Sequence, residues 1–216
     1  MDGEVIAATN KTAMLSKCRL RALEAISFHF RKEDTPQYRA LALVDLVMVF
    51  LEDSNVRVIV EALKLLGANI SVNSVAIAAK LSVLLPVIFS LLGDRRAHIK
   101  EHANNFLVAV RNNIKPITIL SSLCPRIAEV PDRIKTAVLQ YLGVTVPYCE
   151  EFFTVPANMS IFLIRMSNIL VGSQGVKPSS ILLSSGKRLL HLVYNVAREV
   201  IYNFHHFYIY LKAHRR

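Results

Sequence analysis

The chain has 216 residues, 53% of them hydrophobic, which suffices for one large domain whose helices are buried on more than one face. Its net charge of +10 favours an acidic partner, whether nucleic acid, an anionic membrane surface or an acidic protein. Cys18, Cys124 and Cys149 are odd in number and widely spaced, which excludes a disulfide framework and a paired zinc spacing, so we expect buried thiols in a reducing compartment.

The N-terminus lacks the basic and then apolar order of a secretory signal, so we expect a cytoplasmic protein. One apolar window, residues 75–93, is about long enough to cross a bilayer. Because Lys80 and Pro86 lie inside this window, a buried helix is favoured over a membrane-spanning one. No membrane is therefore expected among the partners.

Four segments share one register, in which apolar or small residues recur at offsets of zero, four and eight and so fall on one helix face. They are Cys18, Arg19, Ala22 and Ile26; Val58, Ile59, Ala62 and Leu66; Ile99, Lys100, Ala103 and Leu107; and Ile134, Lys135, Val138 and Leu142. Successive copies lie about 35 to 41 residues apart, the period of HEAT-like helix pairs. A fifth, weaker copy begins at Val176.

A more apolar helix precedes each of the last three clear copies. The predicted pairs are 37–51 with 55–67, 75–92 with 97–110, and 117–129 with 132–146. Beyond residue 150 the pattern weakens, and we predict helices over 157–171 and from 178 onward, with a long aromatic helix over 189–212. Asp53, Asp94 and Asp132 each lie where a carboxylate can cap the second helix, so the three turns are expected on one edge.

This pattern predicts an all-α fold, an α-solenoid of about five to six HEAT-like helix pairs within a single domain, residues 1–216. One helix pair cannot hide its apolar faces, whereas stacked neighbours bury a continuous core between them. An irregular helical bundle with chance periodicity is the alternative fold.

Three groups of residues, spread over about the first two thirds of the chain, form a further pattern. They are Lys17, Arg19, Ala22, Leu23, Glu24 and Ala25; Asp53, Ser54, Asn55, Val56, Val58, Ala62 and Leu63; and Leu85, Pro86, Val87, Leu91, Leu92, Gly93, Asp94, Arg95, Arg96, Ile99, Lys100 and Glu101. These residues resemble the first three repeats of a known family, the TOG domains. TOG domains occur in microtubule polymerases and CLASP proteins and bind tubulin through turns along one edge of a paddle-shaped array. The resemblance implies a microtubule-associated module that regulates microtubule dynamics, without enzymatic activity or a cofactor.

Carried over residue by residue, the resemblance implies tubulin contacts at five turns. These are Lys17 in the first turn, Ser54, Asn55, Val56 and Arg57 in the second, Arg95 and Arg96 in the third, Arg133 in the fourth and Lys177 in the fifth. Many tubulin-binding members carry a tryptophan in the first turn, where this chain has Leu15 or Ser16 and no tryptophan anywhere. The departure predicts weaker tubulin binding, because an anchor aromatic often dominates an interface.

Two other partner classes and one kind of metal site fit parts of the sequence. A helical scaffold for another acidic protein needs no tubulin preference, and a basic helical array can follow a phosphate backbone. His98, Glu101 and His102 match the H-x-x-E-H string of some zinc proteases, but the string falls at a helix start and has no evident third ligand. We therefore expect no metal and no small-molecule substrate.

Overall fold

All secondary structure in the described part of the chain is helical. The computed structural model describes residues 2–31, 36–130, 132–171, 178–198 and 202, without the side chains of 2–13, 128, 129, 132 and 133. The predicted all-α class is confirmed for these residues. The chain divides into two compact units, Met1–Ile114 (unit 1) and Lys115–Arg216 (unit 2). The predicted single domain stays a prediction.

Unit 1 contains five α-helices in its described residues. They are α1 (Asp2–Phe30), α2 (Gln37–Leu51), α3 (Val56–Asn69), α4 (Ser74–Leu92) and α5 (Ala97–Asn113). α2 packs against α3 and α4, α5 packs against α3 and α4, and α1 packs against α3 and α2. Within unit 1, the first helix of the pair α2–α3 thus lies beside the first helix of the pair α4–α5, and the second helices, α3 and α5, also lie side by side.

The predicted register forms the core of unit 1 on α3 and α5. Its positions there are all buried, namely Val58, Ala62, Leu66, Ile99, Ala103 and Leu107. Both helices place apolar side chains on one face and charged ones on the opposite face, so burial of that stripe holds the two helices together.

The first copy of the register is wrong. α1 is one continuous helix, in which Cys18 and Ala22 are exposed and Ile26 is only half-buried. Its described side chains instead contribute Leu23 and Phe30 to the core, a different stripe of the same helix. The expected burial of Cys18 is therefore also wrong.

One buried asparagine joins the end of α1 to the start of α4. The Asn73 side chain donates a hydrogen bond to the Phe30 carbonyl oxygen at 2.8 Å, whereas the buried Asn69 side chain donates within α3, to the Leu65 carbonyl at 2.7 Å. A carbonyl at the end of a helix has no partner within that helix, so Asn73 satisfies a group that burial would otherwise leave unpaired.

α4 is a described helix long and apolar enough to cross a membrane, with a mean hydropathy of 2.3. In unit 1 it packs against α2 and α5 and buries Leu81, Leu84, Leu85, Ile88 and Phe89. A core helix meets the same length and composition test, so this helix alone is weak evidence for a membrane span.

Unit 2 contains shorter elements. They are α6 (Pro116–Leu123), a 3₁₀ segment (Cys124–Glu129), α7 (Asp132–Thr145), a second 3₁₀ segment (Val146–Tyr148), α8 (Glu150–Phe153), α9 (Pro156–Val171) and α10 (Ser180–Val196). The predicted helix 117–129 changes to 3₁₀ geometry at Cys124 because Pro125 cannot donate an α-helical hydrogen bond. Pro147 ends α7 in the same way, one residue before the predicted end.

In unit 2, as in unit 1, helices of successive predicted pairs pack side by side. α7 packs against α10, and α9 packs against the 3₁₀ segment 124–129 and against α10. Ile134, Val138 and Leu142 are buried in the predicted register. The start of the predicted helix 189–212 is the last part of α10, and the segment after residue 198, except Tyr202, lies outside the described residues.

The buried register predicts a large loss of stability when one of its leucines is shortened. Replacing the buried Leu66→Ala should lower the free energy of unfolding by about 2–5 kcal/mol, because it leaves a cavity between packed helices. Leu15→Ala, at an exposed position of α1, should change it by less than about 0.5 kcal/mol. Urea unfolding followed by circular dichroism measures both, and equal effects would contradict the register.

The three thiols should differ in reactivity. Cys18 is exposed, whereas Cys124 and Cys149 are buried. Burial raises the pKa of Cys124 to about 12 and raises the pKa of Cys149, which disfavours the reactive thiolate. A disulfide reagent at pH 8 should therefore label one thiol rapidly in the native protein and all three in urea. Rapid labelling of Cys18→Ser protein would contradict the assignment.

Candidate partner-binding turns

The turns at residues 52–55 and 93–96, between α2 and α3 and between α4 and α5, repeat one backbone pattern about 41 residues apart. In each, an aspartate side chain accepts a hydrogen bond from the backbone N–H two residues later. Asn55 N donates to Asp53 Oδ1 at 2.7 Å, and Arg96 N donates to Asp94 Oδ1 at 2.8 Å. Each aspartate N–H also donates to the carbonyl three residues earlier, in Phe50 and Leu91. Both turns are therefore held by the same local bonds.

The two aspartates stabilise the turns but do not cap the helices, which corrects the prediction. The N-cap of α3 is Asn55, whose side chain accepts from Arg57 N at 2.9 Å. The N-cap of α5 is Arg96, which makes no side-chain cap. Each aspartate lies two residues before the cap and so bonds to the cap residue's own N–H. The Asp132 side chain lies outside the described residues.

Both turns lie at the same end of unit 1. α2 packs beside α4 and α3 beside α5. The short connection 70–73 leads from the end of α3 to the start of α4, so α4 runs in the same direction as α2. The C-terminal ends of α2 and α4, and the turns that follow them, therefore share one end. We call residues 52–57 and 93–96 the turn edge.

Exposed cations lie along the turn edge, but they are not equivalent. Arg57, Arg95 and Arg96 are all exposed, as is Ser54, whereas Asn55 and Val56 are half-buried. Arg96 is paired with Asp94: its Nε lies 2.9 Å from Oδ1 and its Nη2 2.7 Å from Oδ2.

This pairing lowers the pKa of Asp94 to about 2, chiefly through the side-chain hydrogen bond from Arg96 and also through the bond from the Arg96 backbone N–H. Arg96 is therefore occupied in stabilising its own turn. Arg57 and Arg95 form no ion pair with any residue in the described part of the chain. Among the described residues, these two guanidinium groups are the turn-edge cations without an ion-pair partner.

Lys17 does not lie in a turn, so that part of the prediction is wrong. It is an exposed residue in the interior of α1. Its stretch of α1 is nevertheless beside the turn edge, because Arg19 Nε lies 2.8 Å from Asp53 Oδ2. The contact is an ion pair by distance, although the N–H is not aligned for a hydrogen bond. The sequence pattern contains Arg19 as a register position and as part of the resemblance, but spacing alone does not indicate this contact.

The remaining predicted site residues cannot be placed. Arg133 is in the first turn of α7 with its side chain outside the described residues, and Lys177 lies outside them altogether. One cation that the sequence had not assigned to the site adjoins the described turns. Lys100 is exposed on α5 and contributes to the lowered pKa of Asp94.

An open groove of about 880 Å³ lies between α1 and α3, next to the turn edge. Its lining is both apolar and charged and includes Leu23, Phe28, Arg57 and Glu61. Arg57 thus belongs to both the groove and the turn edge. The groove provides a concave surface, but no nucleophile paired with a base lines it.

The zinc-protease string does not assemble a metal site. His98 and Glu101 are exposed at the start of α5, with His98 Nδ1 4.0 Å from Glu101 Oε2. Across the described residues, no three His, Cys, Asp or Glu side chains come together as metal ligands would. The string therefore supplies two histidines on one helix face without the third ligand that catalytic zinc sites have.

No model of a known protein family matches this chain, and no curated protein is significantly similar to it in sequence. The described turns present three exposed guanidinium groups and the Ser54 hydroxyl at one end of unit 1. Such an arrangement suits binding of an acidic surface.

The Asp94–Arg96 pair should give a defined pH dependence. The pKa of Asp94 is lower in the folded protein, so its carboxylate stabilises the fold above about pH 4, and this contribution disappears as the pH falls toward 2. Asp94→Asn should therefore be less stable than the parent at pH 6, with the difference shrinking by pH 2.5. Urea unfolding at the two pH values measures it. Glu52→Gln, at an exposed carboxylate of the other turn, should show a smaller difference, and a pH-independent Asp94→Asn effect would contradict the pairing.

Proposed function

We propose that the chain is an α-solenoid of HEAT-like helix pairs that binds an acidic protein surface through the turn edge. The packing within each unit supports this architecture. In unit 1 first helices lie beside first helices and second beside second, and in unit 2 the segment 124–129 lies beside α9 and α7 beside α10. Side-by-side packing of equivalent helices is the arrangement that stacked repeats require.

The observation that carries the proposal is the repeated turn. Two turns with the same hydrogen bonds lie at one end of unit 1. Each presents an exposed guanidinium, Arg57 and Arg95 respectively, that forms no ion pair with another described residue. Because the backbone is already held by Asp53 and Asp94, little conformational entropy is lost when a partner binds. The two cations would steer an acidic partner and orient it.

Tubulin is the specific partner we propose, in a cytoplasmic, microtubule-associated module of the TOG type that regulates microtubule dynamics. The support is the resemblance of the two turns and the helices after them to the second and third repeats of TOG domains. Contacts would come from Ser54, Arg57 and Arg95, with Asn55 shaping the turn as the cap of α3. The absence of a first-turn tryptophan, and of a first turn in the described α1, makes the expected affinity modest.

Reversing the two unpaired cations tests the proposal. Arg57→Glu with Arg95→Glu should abolish co-elution of the protein with tubulin on size-exclusion chromatography, because both groups would then repel an acidic surface. The matched control is Lys187→Glu with Arg188→Glu, two exposed cations of α10 in unit 2 that should leave co-elution unchanged. Circular dichroism should show the same helicity for all three proteins.

Three outcomes separate the partner classes. Binding of tubulin that survives the Arg57 and Arg95 reversal would show that the turn edge is not the site. Binding of other acidic proteins with equal affinity would favour a general scaffold. Binding of random oligonucleotides with a steep salt dependence, in the absence of tubulin binding, would favour a nucleic-acid array.

A further inference from the structure

α2 and α4 carry exposed apolar side chains on the side that no described helix of unit 1 covers. On α2, Leu46 is 51% exposed and Val49 70%. On α4, Val75 is 63% exposed and Val83 46%. Residues three or four apart lie on one side of a helix, so Ala42, Leu46 and Val49 form one stripe and Val75, Ala79 and Val83 another. Contiguous exposed apolar surface of this kind marks an interaction site.

One ion pair connects the two stripes. Lys80 Nζ lies 2.8 Å from the Asp45 carboxylate, so the pair bridges α4 and α2 at the surface. α4 contains no other charged residue, and α2 contains one more, Arg39 in its first turn. The centre of the face therefore carries one negative and one positive charge, in a chain whose net charge is +10. We call Leu46, Val49, Val75, Val83, Asp45 and Lys80 the neutral face.

We propose that the neutral face binds a second copy of this chain about a two-fold axis. Two copies that each carry +10 repel one another, so contact is least unfavourable where the charges of the surface balance, as they do on the neutral face. A two-fold interface places the same patch on both sides, so each residue must suit its own equivalent or its neighbours. Asp45 and Lys80 meet this requirement, because Asp45 of each copy can face Lys80 of the other.

Charge reversal tests the two-fold pairing directly. Sedimentation velocity over a concentration series should show a weak dimer for the parent chain. Asp45→Lys should weaken dimerisation at least about fivefold, because like charges then face each other, and Lys80→Asp should do the same. An equimolar mixture of the two variants should dimerise again as a heterodimer, because two positive charges then face two negative ones. A parent chain that stays monomeric at every concentration, or a mixture no better than either variant, would overturn the proposal.

The apolar part of the face has its own test. Leu46→Asp should weaken the dimer at least about fivefold. Leu163→Asp is the matched control, at an exposed leucine of α9 in unit 2, and should leave the dimer unchanged. Circular dichroism and urea unfolding check that each variant folds; this should hold because Leu46 is exposed and exposed ion pairs add little to stability.

A lipid surface is the competing occupant of an apolar face, so co-sedimentation with vesicles of neutral and of anionic lipid accompanies the measurements. Vesicle binding that Leu46→Asp removes, with no dimer in solution, would overturn the self-association and assign the face to lipid. None of these substitutions touches Arg57 or Arg95. Failure here therefore leaves the proposed turn edge unaffected.

Discussion

The structure of unit 1 depends on covering α4. This helix has a single charged residue among its 19, and apolar side chains point from it in several directions. Water cannot solvate such a helix without a large free-energy cost, so other helices must cover it. α2 and α5 cover the side that carries Leu81, Leu84, Leu85, Ile88 and Phe89, and both also pack against α3. The core therefore lies between the two helix pairs as well as within each pair, so each pair covers apolar surface of the other.

The turns that join the helices of each pair determine the role of two carboxylates. Asp53 and Asp94 lie in the turns between the helices of each pair. Their carboxylates accept the backbone hydrogen bonds of those turns and form ion pairs with Arg19 and Arg96 respectively. Since cations outnumber carboxylates in this chain, each acid committed to a turn leaves other cations unpaired at the surface. The partner chemistry of the turn edge thus follows from how the turns are built.

Local patterns predicted much of the fold. α2 has the predicted bounds, because a proline precedes it and a polar turn follows it. The register on α3, α5 and α7 was correct, since apolar residues there recur on one face only. On α1 several faces are partly apolar, so periodicity selected Cys18 and Ala22 in place of Leu23. The spacing of the repeats identified the cations at 57, 95 and 96. It could not show that Arg96 is paired with Asp94, because that pairing depends on side-chain geometry.

The way α1 is attached has a consequence for the motions of unit 1. Among its described side chains only Leu23 and Phe30 are fully buried, and its C-terminal end is held by the Asn73 amide. Elements with so few buried contacts detach at a lower free energy than the global transition, as amide hydrogen exchange reveals in other proteins. We therefore expect α1 to detach before the other helices of unit 1, which would uncover the groove side of α3, including Leu65 and Asn69, while α2 to α5 stay packed.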